Sequence, residues 1–343
     1  MKIDIRQLTF DELADFFAAK DEKKFRARQV QEWLWQKSSV DFDEMSNLSL
    51  NIRQVLKDNF VINNITIDHS QHSKDGTIKS AFKLHDDHVI EGVLIPTQKR
   101  LTACISSQVG CSLSCKFCAT GFMERKRNLE AGEIYDQVVL INQQALEKFG
   151  KPLTNIVYMG MGEPLLNFQN VLKSIQLITS PEGLHMAAHR ITLSTAGVAK
   201  MIEKLGTEKV RVNLALSLHA ADDEKRNLIM PINESNSLNT LKKALRYYYD
   251  QTGNEITLEY ILFNKFNDSM EDARNLVNFS KSVPSKVNII EYNTVQGANF
   301  NRANPESTEK FRDYLEKHRV NVHVRRSRGK DIDAACGQLA NKS

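Results

Sequence analysis

At residues 106–118 the chain reads SSQVGCSLSCKFC, the most informative stretch of its sequence. This stretch places three thiols, those of Cys111, Cys115 and Cys118, in C-x3-C-x2-C spacing. An apolar segment at 101–106 leads into it and is predicted to be a β-strand, so the thiols lie on a loop at the C-terminal end of that strand. Bound groups collect at the C-terminal ends of parallel strands, and the position therefore suits a cofactor.

Apolar segments of β type alternate with amphipathic helices from residue 101 onward. The predicted strands are 101–106, 155–159, 190–194, 210–217, 255–262 and 286–291. The helical spacing of Ile134, Val138 and Ile141 is typical of the segments between them. This alternation predicts parallel βα units, and we expect an α/β fold with a partial (βα)6 TIM-like barrel over residues 97–325. An open doubly wound sheet is the alternative.

The regions outside the barrel have different patterns. Residues 1–60 carry apolar patches at helical spacing in polar surroundings, which predicts a small helical N-terminal accessory domain. Residues 61–96 hold short alternating segments separated by turn residues, and we predict a β-hairpin connector there. The predicted hairpin segments are 62–67, 78–84 and 89–95. Residues 326–343 form a C-terminal tail.

Composition limits the classes of protein that the chain can be. Of the 343 residues, 41% are hydrophobic and 26% charged, which supports a sizeable core and argues against disorder. The net charge of +4 is modest, so affinity for nucleic acid must come from local clusters. The sequence shows no secretory leader and no run near the roughly 18 apolar residues that a membrane span needs, so we expect a cytoplasmic protein with no membrane partner.

The three clustered cysteines are more typical of a metal site than of a disulfide framework, because the total of five cysteines is odd. Three thiolates on one loop can bind three corners of a four-iron cubane and leave the fourth iron open to another ligand. Structural zinc is an alternative, but it needs a fourth ligand from afar, such as Cys104, Cys336 or a histidine. Three unrelated buried cysteines are a further alternative.

Several other segments carry a family resemblance. They are ACISSQVGC at 103–111, YMGMGEPL at 158–165, LSTAG at 193–197, LSLHA at 216–220 and ACG at 335–337. With the cysteine motif they resemble the radical S-adenosylmethionine family, and within it the dual-specificity RNA methyltransferases that methylate an adenine carbon. The resemblance covers nearly the whole chain. It implies a radical S-adenosylmethionine barrel and one [4Fe-4S] cluster held by Cys111, Cys115 and Cys118, with two molecules of S-adenosylmethionine used per turnover.

Polar residues at the ends of several predicted strands are candidates for binding that cofactor. Glu163 can accept hydrogen bonds from an ammonium group, and glycine at 162 permits close backbone approach. The resemblance implies contact with S-adenosylmethionine for the following positions: Gly162, Glu163, Ser194, Ser217, Leu218, His219 and Asn293. An ordinary βα turn and a structural histidine are the alternatives for 162–163 and for His219.

The resemblance also implies catalytic roles for Cys336, Cys104 and Glu91. An adenine ring carbon is electron-poor, so a methyl carrier is needed, and Cys336 would take the methyl group on its thiolate. A radical derived from a second S-adenosylmethionine would then join that carbon to adenine. Cys104 would release the product through a transient disulfide with Cys336, while Glu91 would act as a general base. The alternatives are an incidental tail cysteine for Cys336, a small core residue for Cys104 and an exposed strand carboxylate for Glu91.

Three basic clusters, at 20–28, 124–127 and 317–330, can contact RNA phosphates or simply face solvent. By resemblance the RNA partners are 23S rRNA, methylated at C2 of adenine 2503, and tRNA, methylated at C2 of adenine 37. Methylation at C8 is an alternative, and so is a non-enzymatic, zinc-stabilised RNA-binding protein. The resemblance further implies an electron donor such as flavodoxin with its reductase, and we expect a monomer.

Overall fold

The computed structural model describes residues 2–208 and 211–341. Its N-terminal region consists of β1 (Ile3–Asp4), α1 (Phe10–Ala18), α2 (Phe25–Gln31), α3 (Leu50–Asn59) and β2 (Phe60–Val61). Helix α1 starts at a capping box in which Thr9 and Glu12 satisfy each other's main-chain N–H groups. Leu13, Val30 and Leu56 bury the inner faces of the three helices. The parallel β1–β2 pair, which the sequence did not predict, joins the start of this region to its end.

The remaining strands form one large sheet and one small one. In chain order they are β3 (Thr66–His72), β4 (Ile78–Lys83), β5 (Val89–Pro96), β6 (Leu101–Cys104), β7 (Gln108–Val109), β8 (Arg127–Asn128), β9 (Asn155–Tyr158), β10 (Ile191–Thr195), β11 (Asn213–Ser217), β12 (Ile256–Leu262), β13 (Ser285–Glu291) and β14 (Asn321–Arg325). Strands β7 and β8 pair with each other. The large sheet has ten strands in the order β14-β13-β12-β11-β10-β9-β6-β5-β4-β3.

The strand order decides between the two predicted architectures. From β6 to β14 the strands of the large sheet are parallel and lie side by side in chain order, without the reversal that defines a doubly wound sheet. Strands β3 and β14 are both edges, so the barrel is not closed. The prediction of a partial α/β barrel is therefore confirmed. The antiparallel strands β3, β4 and β5 extend this same sheet.

In the described part of the barrel region, seven α-helices lie between the strands along the chain. They are α4 (Ala131–Phe149), α5 (Phe168–Thr179), α6 (Ala199–Thr207), α7 (Asp223–Ile229), α8 (Leu238–Thr252), α9 (Met270–Ser280) and α10 (Pro305–Lys317). In α4 the buried side chains include Ile134, Val138 and Ile141, as their spacing predicts. One apolar core runs from the N-terminal helices into the barrel. No helix in the described ranges is long and apolar enough to cross a membrane.

Some predicted strand positions differ from those observed. The segment predicted at 62–67 is displaced to β3, whose side chains are mostly exposed and so give a weak alternating signal. The strand predicted at 210–217 is β11, and Val210 lies outside the described residues. Strand β14 was missed, because only Val322 of its two valines is buried and basic residues surround it.

Candidate active site

The cysteine loop lies against the C-terminal ends of the barrel strands. The main-chain N–H of Cys118 donates to the Cys115 carbonyl at 3.2 Å, so the loop turns tightly between these two thiols. Gly121 packs on the turn, and a Cβ atom there would lie 2.6 Å from the Cys115 carbonyl oxygen. Only glycine leaves room for the chain to fold back this closely.

The three thiols of the loop are close enough to perturb one another. Burial, with Cys118 and Cys111 as neighbours, raises the pKa of Cys115 well above its ordinary value. Burial likewise raises the pKa of Cys111 to about 11. Three mutually destabilising thiolates are stable only when a bound metal centre takes up their charge. The donor set therefore fits an iron–sulfur cluster.

The spacing of possible ligands bears on the zinc alternative. Within residues 2–208 and 211–341, no group of three or more His, Cys, Asp or Glu side chains is gathered tightly enough to hold a single metal ion. Zinc collects its ligands around one atom, whereas a cubane spreads its thiolates over separate iron atoms.

Glu163 is a buried carboxylate at the end of β9. Its Oε1 accepts from the main-chain N–H of Leu165 at 3.1 Å, and its Oε2 accepts from that of Ala196 at 2.7 Å. Burial outweighs these hydrogen bonds and raises the pKa of Glu163 to about 7. A carboxylate has about four acceptor positions, so Glu163 can still accept from a cationic ligand. Near it, at the ends of β10 and β11, the hydroxyls of Ser194 and Ser217 lie 3.5 Å apart.

Gly162, Leu218 and His219 are engaged in packing within the protein. A Cβ atom at Gly162 would lie 2.5 Å from Cβ of Gln108, so glycine there accommodates the neighbouring chain. Leu218 is completely buried. His219 Nδ1 accepts from the main-chain N–H of Ile261 at 3.1 Å, and burial together with the Arg226 charge lowers the pKa of His219 to about 3. The imidazole is therefore neutral, and cofactor contacts for these three residues stay predictions.

Cys104 and Cys336 lie close enough to interact electrostatically, although 232 positions separate them in the sequence. Burial, followed by the neighbouring Cys336, raises the pKa of Cys104 to about 12, while the Arg325 charge opposes the rise. In turn, Cys336 is the main cause of the raised pKa of Arg325. Cys336 also lies close enough to Cys118 to affect its pKa. The methyl-carrier candidate, the resolving candidate and the cluster loop therefore share one site.

The C-terminal tail is fixed in place on both sides of Cys336. Before it, Asp331 accepts from Ser73 Oγ at 2.6 Å, and Asp75 accepts from the Gly329 N–H at 3.0 Å. After it, the Gly337 carbonyl accepts from the Ala119 N–H of the cysteine loop at 2.7 Å. Asn293, predicted as a cofactor ligand, directs its side-chain amide to the Cys336 carbonyl at 3.4 Å. All five cysteines are free thiols.

Glu91 is buried in the sheet, where the sequence left open an exposed strand carboxylate. Its Oε1 lies 3.4 Å from Nζ of Lys79, which is also buried, and its Oε2 accepts from the Ala340 N–H of the tail at 2.8 Å. Lys79 was not found from the sequence, because only the register of β4 and β5 brings it near Glu91.

The members of the three basic clusters differ in their contacts. Arg127 pairs with Asp86 and Glu133, and is therefore a structural residue. Arg325 is partly buried, lies 3.9 Å from Glu259 and interacts electrostatically with Cys336 and Cys104. Arg326 and Arg328 are exposed beside a cavity of about 830 Å³ whose lining includes Arg326 and Lys330. RNA contacts by the exposed members remain a prediction.

Comparison with known proteins gives concordant results. A family model described as "Ribosomal RNA large subunit methyltransferase N-terminal domain" matches residues 3–62, and the "Radical SAM superfamily" model matches residues 105–277. The chain is 61% identical over 338 residues to the "Probable dual-specificity RNA methyltransferase RlmN" of Cytophaga hutchinsonii, covering 98% of this chain and 93% of that one. It is 41% identical to the "Dual-specificity RNA methyltransferase RlmN" of Geotalea uraniireducens, covering 99% and 97%. The solved structure of a radical SAM methyltransferase from Sphaerobacter thermophilus is 38% identical and superposes with a TM-score of 0.92, covering 98% of this chain and 99% of that one.

Proposed function

The chain belongs to the RlmN dual-specificity RNA methyltransferases of the radical SAM superfamily, and from that premise we propose that it methylates C2 of adenine 2503 in 23S rRNA and C2 of adenine 37 in tRNA. The observation that carries this proposal is the docking of the tail on the cysteine loop, where the Ala119 N–H donates to the Gly337 carbonyl at 2.7 Å and Cys336 comes within electrostatic range of Cys104 and Cys118. A second thiol next to a methyl carrier suits a reaction in which the carrier becomes attached to the substrate and must be released.

The side chains at the strand ends fit the family's cofactors. Cys111, Cys115 and Cys118 would hold the [4Fe-4S] cluster, and Glu163 with the Ser194–Ser217 pair would bind polar groups of S-adenosylmethionine. When bound, the cluster and S-adenosylmethionine would supply the radical chemistry and the methyl group, and each turnover would use two molecules of S-adenosylmethionine.

Cys336 would act as the nucleophile that receives the methyl group. Its thiolate would attack the methyl carbon of S-adenosylmethionine, the bond from that carbon to the sulfonium sulfur would break, and S-adenosylhomocysteine would leave. The methyl group would remain on Cys336 as a thioether. The Asn293 amide donates to the carbonyl of Cys336 at 3.4 Å, and the Arg325 guanidinium interacts electrostatically with its sulfur.

Cys104 would resolve the link once the methyl-derived carbon joins Cys336 to C2 of adenine. Its thiolate attacks the Cys336 sulfur, a disulfide forms, and the sulfur–carbon bond breaks with its electron pair moving to carbon, which then takes a proton. Because burial raises the pKa of Cys104 to about 12, the cation of Arg325 is needed to favour the reactive form. A dithiol reductant must afterwards restore both thiols.

Glu91 would accept the proton that the adenine ring loses. Its proposed role is compatible with its position, because Ala340 of the tail that carries Cys336 donates its main-chain N–H to the Glu91 carboxylate. The Lys79 ammonium at 3.4 Å compensates the buried negative charge before the proton is taken up. Lys79 therefore acts as a positioning residue for Glu91.

The proposed partners follow from the family's substrates. The exposed basic residues Arg326 and Arg328 lie at the start of the tail and can bind RNA phosphates around the target adenine. The target base must be unstacked to reach the thiols, which favours an adenine in an RNA loop. We propose a monomeric enzyme that receives electrons from a donor such as flavodoxin with its reductase.

The proposal is tested with the purified, anaerobically reconstituted protein, given S-adenosylmethionine, a reductant and an RNA fragment that contains the target adenine. Mass spectrometry of the digested RNA is expected to find C2-methyladenine with the native protein and none with Cys336→Ala at equal iron content. Methylation at C8, or unchanged methylation by Cys336→Ala, would contradict the proposal. In cells, 23S rRNA from a strain lacking the gene is expected to lack the modification.

A further inference from the structure

Arg226 is a fully buried cation on α7, with 0% of its surface exposed. The mechanism described above does not use it. A guanidinium in the interior of a protein is costly unless its charge is compensated, and buried arginines therefore commonly pair with a carboxylate.

In the described part of the chain, Arg226 donates only to uncharged acceptors. Its guanidinium contacts the main-chain carbonyls of Ala196, Ser217 and Leu218 at 2.6, 3.3 and 3.1 Å. Its Nη1 also donates to Asn233 Oδ1 at 2.7 Å. The charge of Asp223 opposes the fall in the pKa of Arg226, but this carboxylate accepts from the Asn233 amide at 2.8 Å and not from the guanidinium. The hydrogen bonds of Arg226 are satisfied, but its charge is only partly compensated.

The position of Arg226 indicates which negative group can compensate its charge. The carbonyls that accept from Arg226 belong to Ala196, just after β10, and to Ser217 and Leu218 at the end of β11, at the rim where the candidate site lies. One turn further along α7, the Ile229 carbonyl accepts from the Lys116 N–H of the cysteine loop at 3.0 Å. Electrostatic interaction joins Arg226 to Cys115 itself. The cation therefore lies within electrostatic range of Cys115, the middle thiol of the loop.

We propose that Arg226 is the counter-charge of the cluster held by Cys111, Cys115 and Cys118, and that it raises the reduction potential of this cluster from outside its ligand shell. The proposal rests on the cluster that the proposed function requires. One-electron reduction adds a negative charge to the cluster, and a fixed cation in a low-dielectric interior stabilises the reduced form. The guanidinium of Arg226 donates its hydrogen bonds to strand-end carbonyls. Arg226 therefore acts on the cluster through its charge alone, as a positioning residue.

The test is an EPR-monitored redox titration of the reconstituted cluster in the full-length protein. Arg226→Gln removes the charge and is expected to disfavour reduction at least tenfold, a fall of 59 mV or more for a one-electron couple. Arg226→Lys keeps the charge and is expected to shift the potential much less. Lys225→Gln is the matched control, because it removes the same charge one residue away, where Lys225 pairs with Asp272 on α9.

A second variant keeps the test decisive if Arg226→Gln does not fold. Arg226→Met also removes the charge and fills the same interior space with an unbranched apolar side chain, so it is expected to lower the potential in the same direction. An unchanged potential in a folded Arg226→Gln or Arg226→Met protein with full iron content would overturn the proposal. The readout does not depend on RNA methylation, so a failure here and a failure of the proposed function are distinguishable.

Discussion

Arg325 places a positive charge beside two thiols that the proposed reaction uses in turn. Its replacement by Gln removes the cation that opposes the high pKa of Cys104, so that pKa rises further. At neutral pH we expect single-turnover methylation to slow about tenfold for each unit of pKa, with the rate recovering as the pH is raised. Arg246→Gln, the same charge change on the exposed face of α8, is the control. An unshifted pH–rate profile in Arg325→Gln would remove Arg325 from this role.

The pKa of about 7 at Glu163 predicts a pH-dependent affinity for S-adenosylmethionine. If the ionised carboxylate binds the ligand's ammonium group, affinity rises as the pH increases through 7, to about tenfold tighter at pH 8 than at pH 6. Equilibrium dialysis with the reconstituted protein measures this. Glu163→Gln is expected to bind weakly and to lose the pH dependence. A native affinity that is flat across this range would contradict the proposed contact.

At the scale of single residues, ligand spacing was predictable and charge compensation was not. Cys111, Cys115 and Cys118 can be read from the sequence because one loop must supply all three thiolates. The partners Lys79–Glu91, Arg325–Cys336 and Arg226–Cys115 depend on strand register and on the return of the tail. Nothing in the local sequence distinguishes Arg325 from the exposed Arg326 beside it.

At the scale of elements, two acidic residues hold the tail that carries Cys336 at the turn between β3 and β4: Asp75 in the turn and Asp331 in the tail. Partial burial opposes ionisation of Asp75, but hydrogen bonds from Thr77, Gly329 and Ser73 prevail and lower the pKa of Asp75 to about 2. This contribution to tail docking is complete above the ordinary carboxyl pKa and is lost as the pH falls toward 2.

Replacing Asp75 or Asp331 by Asn is therefore expected to loosen the tail. Faster amide hydrogen exchange across residues 329–341 and a several-fold loss of methylation are the predicted results, with the iron content of the cluster unchanged. Asp313→Asn, on the exposed face of α10, is the matched control. Native exchange rates in both tail variants would show that other contacts hold the tail.

The parallel strands of the barrel were predictable because each is an apolar run followed by an amphipathic helix. Strand β14 was not, because it is an edge strand with few buried side chains. The basic stretch at 317–330 therefore contains the last strand of the sheet, which the sequence did not predict. This strand ends at Arg325, which interacts electrostatically with Cys336 and Cys104.

At the scale of the whole molecule, the N-terminal region and the barrel share one core, which a prediction of separate segments did not anticipate. Arg6 makes two hydrogen bonds to Asp136 of α4, at 2.9 and 2.8 Å, and both side chains are largely buried. Asp136→Asn breaks a buried ion pair and is expected to lower the free energy of unfolding by about 3 kcal/mol in chemical denaturation. A loss below about 0.5 kcal/mol would show that this pair does not join the two regions.

The most direct test of the account is a search for covalent protein–RNA adduct in Cys104→Ala. With the resolving thiol removed, the methyl-derived carbon is expected to remain bonded to both Cys336 and adenine C2, and mass spectrometry of the digested adduct should find that linkage. Cys104→Ala combined with Cys336→Ala should give none. Full methylation by Cys104→Ala without adduct, or an adduct at another residue, would contradict the division of labour between the two cysteines.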